Sequence, residues 1–295
     1  MIDAWIPLTL GAAFAQALRT ALQKRLAGKL SVNASAFVRF LFGMPFALAW
    51  AAGLMAVKGA AIPAMSAGYM LWVVIAAVAQ ILATALLLAA LGRRNFPVGV
   101  ALSKTEIVQA ALFGLLFLGD RPSLWAMAAI VIATFGVVAI VLKGGGAGLD
   151  VRTALTGLAS GACFALSAVG FRVAALSLQL DDAWVAAAYT LGWATVLQTL
   201  LMGGYLAWRE RAQFRLIGGV WRPALLAGFA SAAGSIGWFT AMTLQAVAYV
   251  RTLGLVELIF TFAFSFFWFG EKPRGREVFG ILLLAIGIAM ILNPH

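Results

Sequence analysis

The chain has 295 residues, of which 64% are hydrophobic and 11% charged. Average soluble domains are about 45–50% apolar and about 25% charged, so a soluble globular protein is excluded and an integral membrane protein is expected. The formal charge of +11 does not point to nucleic acid: the basic residues fall in short connections, where they set orientation and meet anionic head groups. Cys163 is the only cysteine and the terminal His295 the only histidine, so an intrachain disulfide is excluded. Neither a histidine-bearing metal site nor a cofactor is expected.

A membrane span takes about 20 mostly apolar residues to cross a core of about 30 Å. The opening "MIDAWIPLTL" has no basic leader region, and despite the small residues of "GAAFAQA" it reads as an uncleaved first span over 4–26. Further spans are predicted over 32–56, 67–90, 96–118 and 123–142. The Gly-rich "LKGGGAGLD" (142–150) then separates a second set, at 152–173, 183–207, 222–242, 247–269 and 277–292. The longest connection, "AWRERAQFRLIGGVWRP", lies between the seventh and eighth spans and leaves no room for a soluble domain. Trp5, Trp50, Trp125, Trp208, Trp221 and Trp268 fall near span ends, as an interfacial belt would. Trp193 and Trp238 lie deeper, facing either a cavity or the packed core.

Self-similarity supports a duplication. Shifted by 151 residues, Leu102 meets Leu253, Glu106 meets Glu257, Phe113 meets Phe264, Gly119 meets Gly270, Pro122 meets Pro273 and Gly136 meets Gly287, while Asp120 faces Glu271. A shift of 150 aligns "GAAFA" (11–15) with "GACFA" (161–165). The expected architecture is all-α: ten transmembrane helices forming two five-helix repeats, residues 1–145 and 150–295. Because five is odd, the second repeat enters from the opposite side and the repeat is inverted. Gly157 and Gly161, and Ala230, Gly234 and Gly237, give small-residue surfaces for close helix contact; plain tight packing is the simpler reading and a sliding surface the sharper one.

The turns "GDRPS" and "GEKPR", each preceded by an apolar run with a glutamate 14 residues before the acid of the turn, join "VRF" in the second span and the five-plus-five repeat. Together these resemble the drug/metabolite transporter superfamily in its ten-span EamA-type branch, over essentially the whole chain. The resemblance implies a carrier of small metabolites, often an exporter, set in a bacterial inner (cell) membrane, with substrate held between the two repeats. A monomer or weak homodimer is expected, in contact with the lipid bilayer and a small-molecule substrate and with no nucleic acid. One departure is visible. The family often has Pro after the glutamates, whereas Ile107 and Leu258 follow here, which puts a helix break at that point in doubt.

Arg19, Arg39, Lys104, Glu106, Arg251 and Glu257 fall inside predicted spans, and charges at that depth are costly enough to need a purpose. Lys104 and Glu106, two apart, point to different sides of a helix and cannot pair. Glu106 and Glu257 are repeat-related; Arg39 is a plausible partner for one of them. These charges read either as a buried ion pair fixing spans two, four and nine, or as proton carriers, with the structural reading preferred. The first span offers Gln16 and Arg19 but no acid beyond Asp3, so the coupling carboxylate of the superfamily's small multidrug members has no counterpart in it. Lys104 and Arg251 occupy equivalent faces one turn apart, suiting an anionic group; the alternative is that they snorkel to the head groups, which fits Arg251 better. Lys104, Arg251, Gln16, Gln80, Trp238 and Trp193 are therefore the substrate-site candidates. An amino acid suits a cation for its carboxylate and Gln16, Gln80 or a glutamate for its ammonium.

An exporter of amino acids or related carboxylates working by alternating access is the leading expectation. A drug or other-metabolite carrier of the same superfamily is the alternative. An intramembrane lipid or prenyl-transfer enzyme is disfavoured, because Asp181-Asp182 is the only acid pair and no usable histidine accompanies it. With those at span ends counted in the adjoining connection, 14 Lys and Arg fall in odd-numbered connections and three in even-numbered ones. That bias puts odd connections in the cytoplasm and both termini outside, whereas the resemblance implies cytoplasmic termini.

Overall fold

The computed structural model describes residues 3–26, 29–91, 101–141, 151–260, 263 and 275–293. The Gly-rich linker, the "GEKPR" turn and the start of the predicted fourth span lie outside them. The described residues form α1 (Trp5–Leu26), α2 (Val32–Leu41), α3 (Met44–Lys58), α4 (Ala67–Leu91), α5 (Glu106–Leu118), α6 (Leu124–Val141) and α7 (Val151–Ser177), followed by α8 (Ala183–Arg209), α9 (Ala212–Gly219), α10 (Trp221–Leu244), α11 (Val247–Gly254) and α12 (Gly275–Leu292). Six segments among them are long and apolar enough to cross a membrane: Val32–Lys58, Ala67–Leu87, Ala101–Leu118, Val151–Ser177, Ala183–Arg209 and Trp221–Leu244. Leu124–Ile140 and Glu277–Leu292 are shorter apolar helices. Leu82, Leu116, Leu124, Phe135 and Leu200 are exposed on these helices, a surface compatible with lipid and not with water. The protein is an all-helical, multi-pass integral membrane protein.

The second predicted span is broken. Pro45, in the first turn of α3, has no N–H to give the carbonyl four residues earlier, Leu41, where α2 ends. The kink packs against α10 so tightly that a Cβ on Gly228 would lie 2.5 Å from that of Phe42. At the "GDRPS" turn Gly119 takes the left-handed conformation, φ 69°. Its N–H bonds Leu115 O and the Asp120 N–H bonds Gly114 O, which closes α5 with a left-handed glycine cap. Within the longest connection, for which the sequence predicted no helix, α9 forms.

Two compact units make up the chain, and each draws on both sequence halves. The first comprises Met1–Ala77 and Phe171–Leu244. Its core runs through Ala47, Tyr69, Val73, Phe171, Leu191 and Phe239, and α10 packs on α1 and α8. A Cβ on Gly237 of α10 would meet Leu8 O at 2.8 Å, so the small-residue surface of this helix serves close backbone approach in this unit. At one end of the unit Asp182 caps α8, accepting from the N–H groups of Trp184 (2.9 Å) and Val185 (3.3 Å), and pairs with Lys58 at 3.1 Å. Burial pushes the Asp182 carboxyl up, but Lys58 and the two N–H groups outweigh it and hold the carboxyl below the ordinary aspartate value.

The second unit comprises Val78–Gly170 and Gln245–His295. Here α6 and α12 form an extended pair. A Cβ on Gly136 would lie 2.8 Å from Gly280 O, and one on Gly287 2.7 Å from the Cβ of Ala133. In the same unit α5 crosses α11, and this crossing gathers the charges.

Candidate functional site

The helix that carries Lys104 does not run straight through it. Residues 101–103 are helical, Lys104 and Thr105 form a turn, and α5 begins at Glu106. Across the interruption the backbone tightens to bonds three residues back: Lys104 N–H to Ala101 O at 3.2 Å and Thr105 N–H to Leu102 O at 3.1 Å. Such a 3₁₀ turn inside a long helix is where hinges are found. Its cause is local. The Thr105 hydroxyl donates to Leu102 O at 2.6 Å, competing for a carbonyl the helix would use, and Gln109 Nε2 donates back to the Thr105 Oγ1 at 2.9 Å. The interruption therefore forms without proline, and it precedes Glu106 rather than following it.

The counterpart breaks at the matching point. α11 ends at Gly254, Leu255 forms the turn, and helix resumes over 256–260. Leu255 N–H bonds Thr252 O at 3.2 Å and Leu258 N–H bonds Leu255 O at 2.9 Å. Leu255 stands 151 residues after Lys104.

Where the two meet, Arg251 Nη1 lies 3.9 Å from Glu106 Oε1, with both side chains largely buried. Glu106 sits in the first turn of α5 and Arg251 in the last turn of α11, each on the helix end whose partial charge it complements. At 3.9 Å the contact is an ion pair without a hydrogen bond. Glu106 thus pairs with Arg251 rather than with Arg39, and Arg251 faces an acid rather than open space. Lys104 is half-buried one turn away, and among the described residues it has no ion-pair partner. Gly161 of α7 lies against the interruption: a Cβ there would meet Ser103 O at 2.8 Å and Glu106 N at 3.3 Å. Ser103 is buried. Ser103, Thr105 and Gln109 shape this site and went unremarked in the sequence; the signal was a threonine and a glutamine four apart in an apolar run.

The other candidates divide between the units. Gln80, on α4, and Glu257, on the helix following Leu255, belong to the second unit and are half-buried. In the first, Trp238 is buried and its Nε1 donates to Gln16 Oε1 at 3.1 Å, so these two are joined to each other across the α1–α10 contact. Arg39 stacks its guanidinium 4.4 Å from the Phe40 ring centroid, with its Nε buried; Arg19 is half-buried on α1. Trp193 lines a cavity of about 720 Å³ between α3 and α8, with Leu48, Met55, Tyr189, Gly192 and Val196. Among the described residues, no three of His, Cys, Asp and Glu come together as a metal site would require.

A helical bundle with interrupted helices and buried charges suits many carriers, and the sequence decides among them. One family matches it twice, over residues 3–142 and again over 151–293. The chain belongs to the EamA-like transporter family. As an EamA-like transporter it is a membrane carrier of the drug/metabolite superfamily, acting on small molecules from within a lipid bilayer. A crystal structure of a protein 15% identical to it superposes with a TM-score of 0.74, covering 97% of this chain and 96% of the other, which shows a shared fold. No curated protein matches the sequence significantly.

Proposed function

We propose that this EamA-like transporter is a secondary carrier exporting amino acids or related carboxylates by alternating access, with Lys104 receiving the substrate carboxylate. The observation that carries the reading is the pair of helix interruptions, at Lys104–Thr105 and at Leu255, which fall at equivalent points of the two sequence halves and flank the Glu106–Arg251 pair. Discontinuous helices expose backbone polar groups and helix ends where a polar substrate can be held inside a bilayer.

The ten-span inverted repeat, over 1–145 and 150–295, is part of the same proposal. In its support, α8 begins and ends 151 residues after Val32–Lys58, and α12 begins and ends 151 residues after α6. Lys104 has a leucine at the equivalent position, so its charge is particular to one half. A scaffold built on symmetry would have charge in both. Glu106 and Arg251 act here as a structural and gating pair, opening as the two half-helices part. Both termini lie outside, by the charge bias of the connections, in a bacterial inner membrane; a fusion after His295 that is active only in the cytoplasm would contradict this.

The test is transport into proteoliposomes of amino acids and of the matching amines that lack the carboxylate. Lys104→Gln impairs carboxylate transport while leaving folding intact, and Lys104→Arg retains part of it. Transport by Lys104→Leu equal to that of the parent would remove the assignment. A second reading, a carrier of apolar or aromatic compounds, is favoured by the apolar cavity at Trp193. It predicts that Trp193→Ala, and not the Lys104 variants, abolishes transport.

A further inference from the structure

The end of the first unit where α8 turns through α9 into α10 carries a basic surface apart from the helix interruptions. Between Asp182 and Glu257 the sequence has a single acid, Glu210, against Arg209, Arg211, Arg215 and Arg222 in this one connection. Glu210 is engaged with the start of α2: the Ser31 hydroxyl donates to it, as does Asn33 Nδ2 at 2.7 Å. The Ser31 N–H donates to Gln213 Oε1 at 3.0 Å. The connection therefore keeps a positive excess while its acid is turned inward.

The aromatic residues are turned the other way. Trp208 and Trp221, at the two ends of the connection, are 71% and 51% exposed. Arg209 lies 4.2 Å from the Trp208 ring centroid and Arg222 5.5 Å from that of Trp221. Between them α9 buries Ile217 and exposes Phe214 and Leu216, with Arg211 and Arg215 four residues apart and hence on one face. Phe214 also meets Phe37 of α2 edge-on, with centroids 5.9 Å apart.

We infer that α9 and its two Trp–Arg stacks form a binding collar for anionic phospholipid head groups. Tryptophan rings settle at head-group depth, and short basic helices with an apolar side lie in that plane. Guanidinium groups held over the rings, as those of Arg209 and Arg222 are, present forked donors that fit a phosphodiester. Charge complementarity selects an anionic lipid over a zwitterionic one. The exposed Trp208 and Leu216 select a membrane over a soluble acidic partner, since they continue the lipid-facing surfaces of α8 and α10. Through Glu210 and Gln213 the collar is tied to the N-cap of α2, so lipid held at α9 also steadies the point where α2 begins.

Native mass spectrometry of the detergent-purified protein with added phosphatidylglycerol or phosphatidylcholine tests this. Phosphatidylglycerol is retained preferentially, retention falls as salt rises, and each Arg→Gln change among Arg209, Arg211, Arg215 and Arg222 weakens it about fivefold. Lys58→Gln, at the opposite end of the same unit, leaves retention unchanged. The Arg211→Gln/Arg215→Gln double variant, both side chains being exposed, tests the same point should a change at Arg209 or Arg222 not fold. Equal retention of the two lipids, or a preference that survives these substitutions, overturns the inference.

Discussion

Gly161→Ala is the sharpest perturbation of the interrupted helix. The added methyl would come within 2.8 Å of Ser103 O and 3.3 Å of both Glu106 N and Gln109 Nε2. Two of these are backbone atoms at the interruption itself, so no side-chain rotation relieves the clash: either α7 withdraws or the turn at Lys104–Thr105 changes shape. Overpacking of this kind costs about 1–3 kcal/mol. Each kcal/mol moves a melting temperature by about 2–4 °C in chains of 150–250 residues, so a fall of several degrees in detergent is expected. Gly204→Ala supplies the opposite sign. That position lies within α8 with nothing inside 4 Å of an added Cβ, and replacing a helical glycine by alanine at an open site gains about 0.4–1 kcal/mol. Transport should fall with Gly161→Ala and persist with Gly204→Ala. A Gly161→Ala protein as stable and as active as its parent would refute the claim that the interruption is held by contact with α7.

Two further outcomes are expected. Glu106→Gln and Arg251→Gln should each destabilise the protein, by less than the about 3–5 kcal/mol of a fully buried pair, because the contact is 3.9 Å long. Their effects should be non-additive in a double-mutant cycle read by thermal melting; a stable Glu106→Gln protein that still exchanges substrate but ignores a pH gradient would instead identify a proton carrier. Asp182→Ala should lower stability by about 1 kcal/mol near neutral pH through loss of the cap. Since the Asp182 carboxyl is held below its ordinary value, its contribution is present above the unfolded pKa of about 3.9 and is lost as pH falls through the folded value. Parent and variant should therefore converge in acid, and a difference that persists there would argue against the Lys58 pair and the cap as its source.

Much of the helical plan was legible because lipid imposes it. Runs of apolar residues between charged or Pro/Gly breaks predicted helix starts near Val32, Ala67 and Ala183, where the structure has them. What periodicity could not give was the interior of those runs. The kink at Phe42–Gly43 depends on Pro45 and on room beside Gly228. The interruption at Lys104 depends on where the hydroxyl of Thr105 turns, which a uniform apolar pattern does not record. α9 was missed because eight residues with four glycine or polar positions resemble a loop until Ile217 is buried. Pairing was the least legible part. The sequence offered Arg39 as the partner of one glutamate and gave Arg251 to an anionic substrate or to head groups; the crossing of α5 with α11 is what brings Arg251 to Glu106.

The central claim, that Lys104 stands in the aqueous path of a carboxylate substrate, is tested most directly by chemical access at that position. In a Cys163→Ser background, Lys104→Cys should react with a water-soluble, membrane-impermeant thiol reagent in proteoliposomes. An amino acid substrate should slow the reaction, and the corresponding amine should not. A thiol at position 104 that stays unreactive, or that reacts equally with and without substrate, would contradict the account.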